Sequence, residues 1–235
     1  KRQLGNPKPR IFRLEKDRAL INRLGFNNHG SETIFKRISE NQPDGFLGIN
    51  IGPNKETKNK EEDYFTCLSR LSMNAGYITI NISSPNTEGL RNFHNQEEMK
   101  KLLIGLNKII KDKKIEQPIA IKVSPDINEG EIERIVELVK SQKIQGIIVS
   151  NTTDSNRENL SDMKKDETGG LSGQPLKDIS TELIKKFYKE TKGEVKIIGV
   201  GGVDSGESAF EKITAGADAV QLYTGMVYKG PGIVK

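Results

Sequence analysis

Short apolar runs recur along the chain from about position 45 onward, and longer segments with helical periodicity separate them. The runs are rich in Ile and Val without strict polar alternation, which is typical of strands buried on both faces of a sheet. Strands and helices that alternate at this spacing indicate βα units around a parallel sheet. The predicted strands are residues 46–52, 77–83, 119–124, 146–151, 196–202 and 219–225.

Helical periodicity fills the intervals between these strands. The predicted helices are residues 61–75, 97–113, 129–141, 180–192 and 207–215. Before position 45 the pattern is weaker: it predicts a short strand at 11–14, a short helical turn at 17–23 and a helix at 31–39. Ser31 is the predicted N-terminal cap of that helix, because a hydroxyl can accept an N–H of the first turn.

Residues 154–170 form the long irregular stretch of the sequence. Loops of this length are usually active-site lids or disordered segments, so a lid and a solvated charged insertion are both open readings. No Pro-, Gly- or Ser-rich boundary divides the chain, and we predict one domain over residues 1–235. Six strands fit either an open sheet or a closed eight-stranded barrel that has two further strands outside this sequence.

Composition excludes several classes of function. The apolar runs are far shorter than the ~20 residues that cross a bilayer, so we predict no transmembrane helix. The single cysteine, Cys67, excludes an internal disulfide, and two histidines argue against a histidine-rich metal centre. The net charge of +5 indicates a lysine-rich solvated surface more than an anionic partner. Aromatic residues make up 6% and do not interleave with arginines, so we do not expect nucleic acid binding.

Polar residues recur where the predicted strands end, at the edge where ligands bind in parallel α/β folds. Asparagines dominate, and carboxylates, imidazoles and thiolates do not cluster, which disfavours a metal site. Because an amide offers both a donor and an acceptor, this set suits a flat heterocycle with alternating C=O and N–H groups, such as a pyrimidine. The residues are Asn50, Asn81, Ser84, Lys122, Ser150, Asn151, Thr152, Gly201, Gly202, Tyr223 and Thr224.

Glycines follow the last two predicted strands, at 199–202 and at Gly225. Backbone N–H groups at such positions bind phosphate, and barrels often place a phosphate site after their seventh and eighth strands. No G-x-G-x-x-G stands between a strand and a helix, so the dinucleotide fingerprint is not met. The glycines therefore predict a phosphate-bearing cofactor or substrate.

Six motifs together resemble the dihydroorotate dehydrogenases, and more narrowly their membrane-associated, quinone-reducing class 2. The resemblance covers essentially the whole chain. The motifs are GNPKPR at 5–10, INRLGFNN at 21–28, NISSPNTEGLR at 81–91, SNTT at 150–153, GGLSGQP at 169–175 and IIGVGG at 197–202.

The resemblance implies an FMN-containing α/β fold, a (β/α)₈ TIM barrel, of which the six predicted strands are the third to the eighth. It implies oxidation of dihydroorotate to orotate in pyrimidine biosynthesis, with electrons passing to FMN and then to a membrane quinone. Class 1 relatives carry a catalytic cysteine after the fourth strand. Ser84 stands at the matching position here, which favours class 2.

The resemblance also assigns residue roles. Ser84 would remove a proton from C5 of the substrate while a hydride leaves C6 for the flavin; on chemistry alone Ser83 is an equal candidate, and the family pattern selects Ser84. The pyrimidine and its carboxylate would be held by Asn22, Arg23, Leu24, Gly25, Phe26, Asn81, Asn86, Asn151 and Thr152. The flavin would be held by Asn50, Asn81, Lys122, Ser150, Gly173, Gly202, Tyr223 and Thr224. Residues 154–168 would form a lid.

Three features of the family are not matched in these residues: an N-terminal amphipathic membrane-docking segment, the first two barrel strands, and a closing helix. The resemblance therefore predicts a longer protein, associated peripherally with the bacterial inner membrane, or with the mitochondrial inner membrane if eukaryotic. Two alternatives stay open. One is a related FMN-dependent barrel that uses another acceptor, and the other is an inactive barrel that binds FMN or phosphate.

Overall fold

The computed structural model of the chain describes residues 1–83 and 95–234. Its strands form two sheets, one of six strands and one of three. The strands are β1 (Ile11–Leu14), β2 (Ala19–Asn22), β3 (Gly48–Ile51), β4 (Tyr77–Asn81), β5 (Ile119–Val123), β6 (Gly146–Val149), β7 (Gly170–Gly173), β8 (Lys196–Val200) and β9 (Ala219–Gln221).

The six-stranded sheet runs in the order β3-β4-β5-β6-β8-β9, and all its neighbours are parallel. The six strands predicted from the apolar runs are confirmed, although each ends one to four residues earlier than predicted. Some residues beyond those ends still bond to neighbouring strands, as the N–H of Ser150 does to the Val200 carbonyl oxygen at 3.1 Å. The positions beyond the ends of β6 and β8 include Ser150, Asn151, Gly201 and Gly202, which the sequence places at the edge of the sheet.

Seven α-helices connect and cover the strands in the described part of the chain. They are α1 (Ser31–Glu40), α2 (Lys60–Leu71), α3 (Gln96–Lys113), α4 (Glu129–Ser141), α5 (Lys177–Thr191), α6 (Gly206–Thr214) and α7 (Thr224–Lys229). The apolar faces of α2 to α5 form the main core against the sheet, as Leu102 of α3 and Phe187 of α5 show by being fully buried. The bounds of α4 match the prediction, and its start carries a capping box between Asn128 and Glu131.

The three-stranded sheet β1-β2-β7 is antiparallel and covers one end of the parallel sheet. The helical turn predicted at 17–23 is wrong, because β2 pairs with β1 on one side and with β7 on the other. Strand β7 was not predicted, since GLSG has little apolar character of its own. Phe12, Ile21 and Leu171 form a second, smaller core beneath this sheet.

The predicted cap of α1 is also wrong. Gly30, with φ 91°, occupies the N-cap position and no side chain caps the helix. Ser31 is instead the first helical residue, and its Oγ accepts a hydrogen bond from Arg70 Nη1 of α2 at 2.7 Å. The hydroxyl therefore links two helices.

Across residues 1–83 and 95–234 there is no helix long and apolar enough to cross a membrane. The same residues bring no three His, Cys, Asp or Glu side chains together in a cluster that could hold a metal ion.

Candidate active site

A cavity of about 390 Å³ lies between the carboxyl ends of the parallel strands and the three-stranded sheet. Its volume falls within the range of ~300–1,000 Å³ that is usual for small-molecule sites. Two independent parts of the fold therefore build one site. The predicted residues that line it are Asn22, Leu24, Lys122, Ser150, Asn151, Thr152, Gly173, Gly202, Tyr223 and Thr224.

Lys122 is the cation that the parallel sheet itself brings to this cavity. It lies near the end of β5, in register with Asn81 of β4 and Ile148 of β6. Burial lowers the pKa of its ammonium group to about 8. No described residue forms a hydrogen bond or ion pair with Lys122, so its charge is directed to whatever occupies the cavity.

Asparagine side chains are joined to one another beside Lys122. Asn151 Nδ2 donates to Asn81 Oδ1 at 3.2 Å and to Ser83 Oγ at 3.1 Å. The Ser83 hydroxyl in turn donates to Asn81 Oδ1 at 3.4 Å, and Asn151 Oδ1 accepts from the N–H of Thr152 at 2.8 Å. These bonds fix the amide orientations before any ligand binds, which lowers the entropic cost of binding one.

Tyr64 of α2 supports this network from behind the sheet. Its hydroxyl is fully buried and donates to the carbonyl oxygen of Asn81 at 2.6 Å. Burial raises the pKa of this phenol, so Tyr64 stays protonated and remains a hydrogen-bond donor. The main chain at Asn81 is thus held by a helix as well as by the ladder.

Glycine backbone forms another part of the cavity wall. Gly173, Gly201 and Gly202 line it with φ of 101°, 125° and 70°, a region that side chains other than glycine rarely adopt. A Cβ on Gly202 would lie 2.5 Å from the Lys177 Cα, so only glycine fits. Exposed main-chain amides in such a turn make a concavity for an anion, and this donor set fits a phosphate group.

The described residues that line the cavity carry more positive than negative charge. The lining contains one carboxylate, that of Asp204, and four cationic side chains, those of Arg13, Arg18, Lys122 and Lys229. Asp204 lies 3.5 Å from both Arg18 Nη1 and Lys229 Nζ. The surplus of cations favours an anionic ligand, in agreement with the phosphate-binding character of the glycine wall.

Comparison with known proteins shows which protein family contains this chain. The family model described as dihydroorotate dehydrogenase matches residues 1–235. This chain belongs to the dihydroorotate dehydrogenase family. It is 46% identical over 236 residues to "Dihydroorotate dehydrogenase (quinone)" of Brucella anthropi, covering 98% of this chain and 65% of that protein. Its identity to the protein of that name from Mesorhizobium japonicum is 49% over 233 residues, with 98% and 65% covered.

Solved structures of the family superpose on this chain. The dihydroorotate dehydrogenase of Eimeria tenella in complex with ferulenol is 38% identical, with a TM-score of 0.93, over 98% of this chain and 68% of that chain. Its ligand-free form gives a TM-score of 0.94, over 99% and 71%. The predicted family and the predicted fold class, an α/β barrel, are confirmed. The chain spans about 65% of the length of the Brucella and Mesorhizobium relatives.

Some residues that the dihydroorotate dehydrogenase pattern assigns lie away from the main cavity. Asn50 and Phe26 line a second cavity of about 200 Å³. Asn81 is buried behind the first cavity, and Arg23 and Gly25 line neither cavity. The predicted base Ser84 and the predicted substrate ligand Asn86 lie outside the described residues.

Arg23 instead fastens the predicted lid. Its Nη1 lies 2.8 Å from Glu167 Oε2 and 3.1 Å from the Thr168 carbonyl oxygen, and its guanidinium stacks 4.4 Å from the Phe12 ring centroid. From within the segment, Arg157 donates to three carbonyl oxygens, including that of Lys165 at 3.0 Å. Residues 154–168 are therefore fastened to the small sheet through Arg23 and through buried Leu160, while most of their side chains stay exposed to solvent. Both the lid and the solvated insertion remain open readings.

Sequence reasoning missed several lining residues of the main cavity. Ser172 and Gln174 flank Gly173: Ser172 Oγ accepts from Thr224 Oγ1 at 2.9 Å, and Gln174 Nε2 donates to the Gly202 carbonyl at 3.4 Å. Both stand inside the GGLSGQP motif, which was the available signal. Arg13 was missed for another reason. Its strand at 11–14 was predicted, but the small sheet that brings this strand to the cavity was not.

Proposed function

We propose that the complete protein oxidises dihydroorotate to orotate, with FMN as the hydride acceptor and a membrane quinone as the final electron acceptor, in pyrimidine biosynthesis. The observation that carries this proposal is one cavity lined by Lys122, by the amides of Asn22 and Asn151, and by a glycine wall suited to phosphate. The proposal also rests on family membership and on relatives that bear the quinone-dependent name.

The chain's own residues divide into three roles. Gly173, Gly202 and Thr224 would hold the ribityl phosphate end of FMN, and Lys122 would meet its ring. A bound FMN supplies the site that accepts a hydride from C6 of the substrate. The amides of Asn22 and Asn151 lie in the same cavity and would orient the pyrimidine ring and its carboxylate.

Proton removal from C5 is assigned to Ser84 through the family pattern. A serine hydroxyl is a weak base and needs a desolvated, hydrogen-bonded setting to act. The rival hydroxyl, that of Ser83, is fully buried and already bonded to Asn81 and Asn151. Because these two hydrogen bonds occupy the Ser83 hydroxyl, we assign Ser83 the role of orienting the amides and Ser84 the role of the base.

A quinone acceptor is a lipid, so the protein must reach a bilayer surface to be reoxidised. We therefore propose peripheral association with the inner membrane. Apolar residues at the small-sheet side of the cavity, Ile11, Leu20 and Val227, are chemically suited to an apolar ring near Arg13.

Comparing electron acceptors tests this function as a whole. With dihydroorotate as donor, a short-chain ubiquinone should be reduced with a kcat/KM at least about 100-fold above that for fumarate or NAD. Preference for fumarate or NAD would support a related barrel with another acceptor. A protein that binds FMN and reduces none of the three would be the inactive barrel.

A further inference from the structure

Lys212 of α6 is a lysine that the fold buries completely, at 0% exposure. Its Nζ donates to the carbonyl oxygen of Lys177 and to Oγ1 of Thr181, both at 2.6 Å. Burial lowers the pKa of this ammonium group to about 8, which reflects the cost of desolvating a charge. An apolar side chain would fill the space without that cost, so stability alone does not explain a lysine here.

The carbonyl that Lys212 fixes belongs to the residue on which the glycine wall rests. A Cβ on Gly202 would lie 2.5 Å from Lys177 Cα and 2.7 Å from Lys177 N, so the two backbones are in direct contact. Ser180 Oγ lies 3.1 Å from the Gly201 carbonyl oxygen and 3.3 Å from that of Lys177. The start of α5 is thus the platform for Gly201 and Gly202.

Lys212 also contacts the strand that leads into those glycines. A Cβ on Gly199 of β8 would lie 3.2 Å from Lys212 Cβ, which explains a small residue at this point of the GVGG motif. A second pair, Lys177 Nζ to Glu211 Oε1 at 2.9 Å, joins the same two helices nearer the surface. Lys212 therefore connects α6, α5 and β8 at the corner that carries the glycine wall.

We propose that Lys212 is a positioning residue for the phosphate end of bound FMN, acting through the Lys177 carbonyl and the start of α5 on Gly201 and Gly202. The proposal rests on the proposed function, since it takes FMN as the ligand. Lys212 touches no ligand itself. Its effect is to hold the glycine amides in the geometry that a phosphate needs, so it should matter for FMN and not for a flavin that lacks the phosphate.

Flavin binding to the complete protein, stripped of flavin, tests this inference directly. FMN and riboflavin are titrated separately into wild type and Lys212→Met, and the quenching of flavin fluorescence gives each Kd. We expect the Kd for FMN to rise about tenfold in the variant, and the Kd for riboflavin to change less than about twofold. Exposed Lys185, which pairs with Glu182 on α5, provides the matched control Lys185→Met, which should change neither Kd.

A second variant keeps the test decisive if Lys212→Met does not fold. Thr181→Val removes one acceptor of the ammonium group, and with it the 2.8 Å bond from Thr181 Oγ1 to the Lys177 carbonyl. It should weaken FMN binding selectively, to a smaller degree. Equal losses for FMN and riboflavin, or no loss, would overturn the positioning role while leaving the proposed function intact. Failure of wild type to bind FMN would overturn both.

Discussion

Replacing Ser84 with alanine will lower the kcat of dihydroorotate oxidation about 10³-fold in the complete protein, because a positioned general base contributes ~10²–10⁴-fold. The affinity for FMN should not change, since the resemblance places Ser84 on the substrate and not on the cofactor. Stopped-flow measurement of flavin reduction by dihydroorotate isolates this half-reaction from reoxidation by quinone.

Ser83→Ala is the matched control for the base assignment. Its hydroxyl donates to Asn81 Oδ1 at 3.4 Å and accepts from Asn151 Nδ2 at 3.1 Å, so its loss should disturb the amide pair that orients the substrate. We expect the KM for dihydroorotate to rise about tenfold, with kcat within about threefold of wild type. The reverse result, with collapse in Ser83→Ala and near-normal turnover in Ser84→Ala, would transfer the base to Ser83.

Lys122→Met should slow flavin reduction by about 10²-fold, because it removes the positive charge that faces the reduced, anionic ring. The same change should stabilise the flavin-free protein. In the folded chain the pKa of Lys122 is about 8, compared with 10.5 for a free lysine. That difference corresponds to a cost on the order of 3 kcal/mol for holding the charged ammonium group in the fold.

The pH dependence of this stabilisation has a defined sign. Below pH 8 both the folded and the unfolded chain are protonated at Lys122, and the full cost is present. Between pH 8 and 10.5 the unfolded chain binds more protons, so the stability of wild type rises with pH and its deficit relative to Lys122→Met disappears. Urea unfolding of both flavin-free proteins at pH 7 and at pH 10 measures this difference.

Exposed Lys185 again serves as a control, since Lys185→Met should not produce a pH-dependent gain in stability. A Lys122→Met protein that is less stable than wild type at pH 7 would show that the ammonium group has a partner that compensates its burial. Flavin reduction at the wild-type rate in Lys122→Met would contradict the proposed role of Lys122 beside the flavin ring.

The parallel sheet could be predicted from sequence because its information is local. Runs such as GIIV at β6 and KIIGV at β8 are apolar enough to identify buried strands without knowledge of their partners. Strands β2 and β7 could not be predicted in this way. The GLSG of β7 has little apolar character, and β2 forms by pairing with β7, as between Asn22 and Gly170, far away in the sequence.

The residues of the candidate site also divide into those that the sequence predicts and those that only the structure shows. Lys122 and Asn151 follow from the rule that ligands bind at the carboxyl ends of parallel strands, and the structure places both in the main cavity. Lys212 could not be found by pattern, since a lysine in an amphipathic helix is ordinarily assigned to the solvent-facing side. Only the packing of α6 against α5 and β8 shows that it is buried.

The visible absorption spectrum of the purified complete protein, recorded before and after anaerobic addition of dihydroorotate, tests the central claim most directly. The proposed function predicts a flavin spectrum that bleaches when dihydroorotate is added and returns when a quinone is added. A flavin spectrum that dihydroorotate leaves unchanged would contradict the proposed substrate. A complete protein that neither contains flavin nor takes up FMN would contradict the assignment of the glycine-walled cavity.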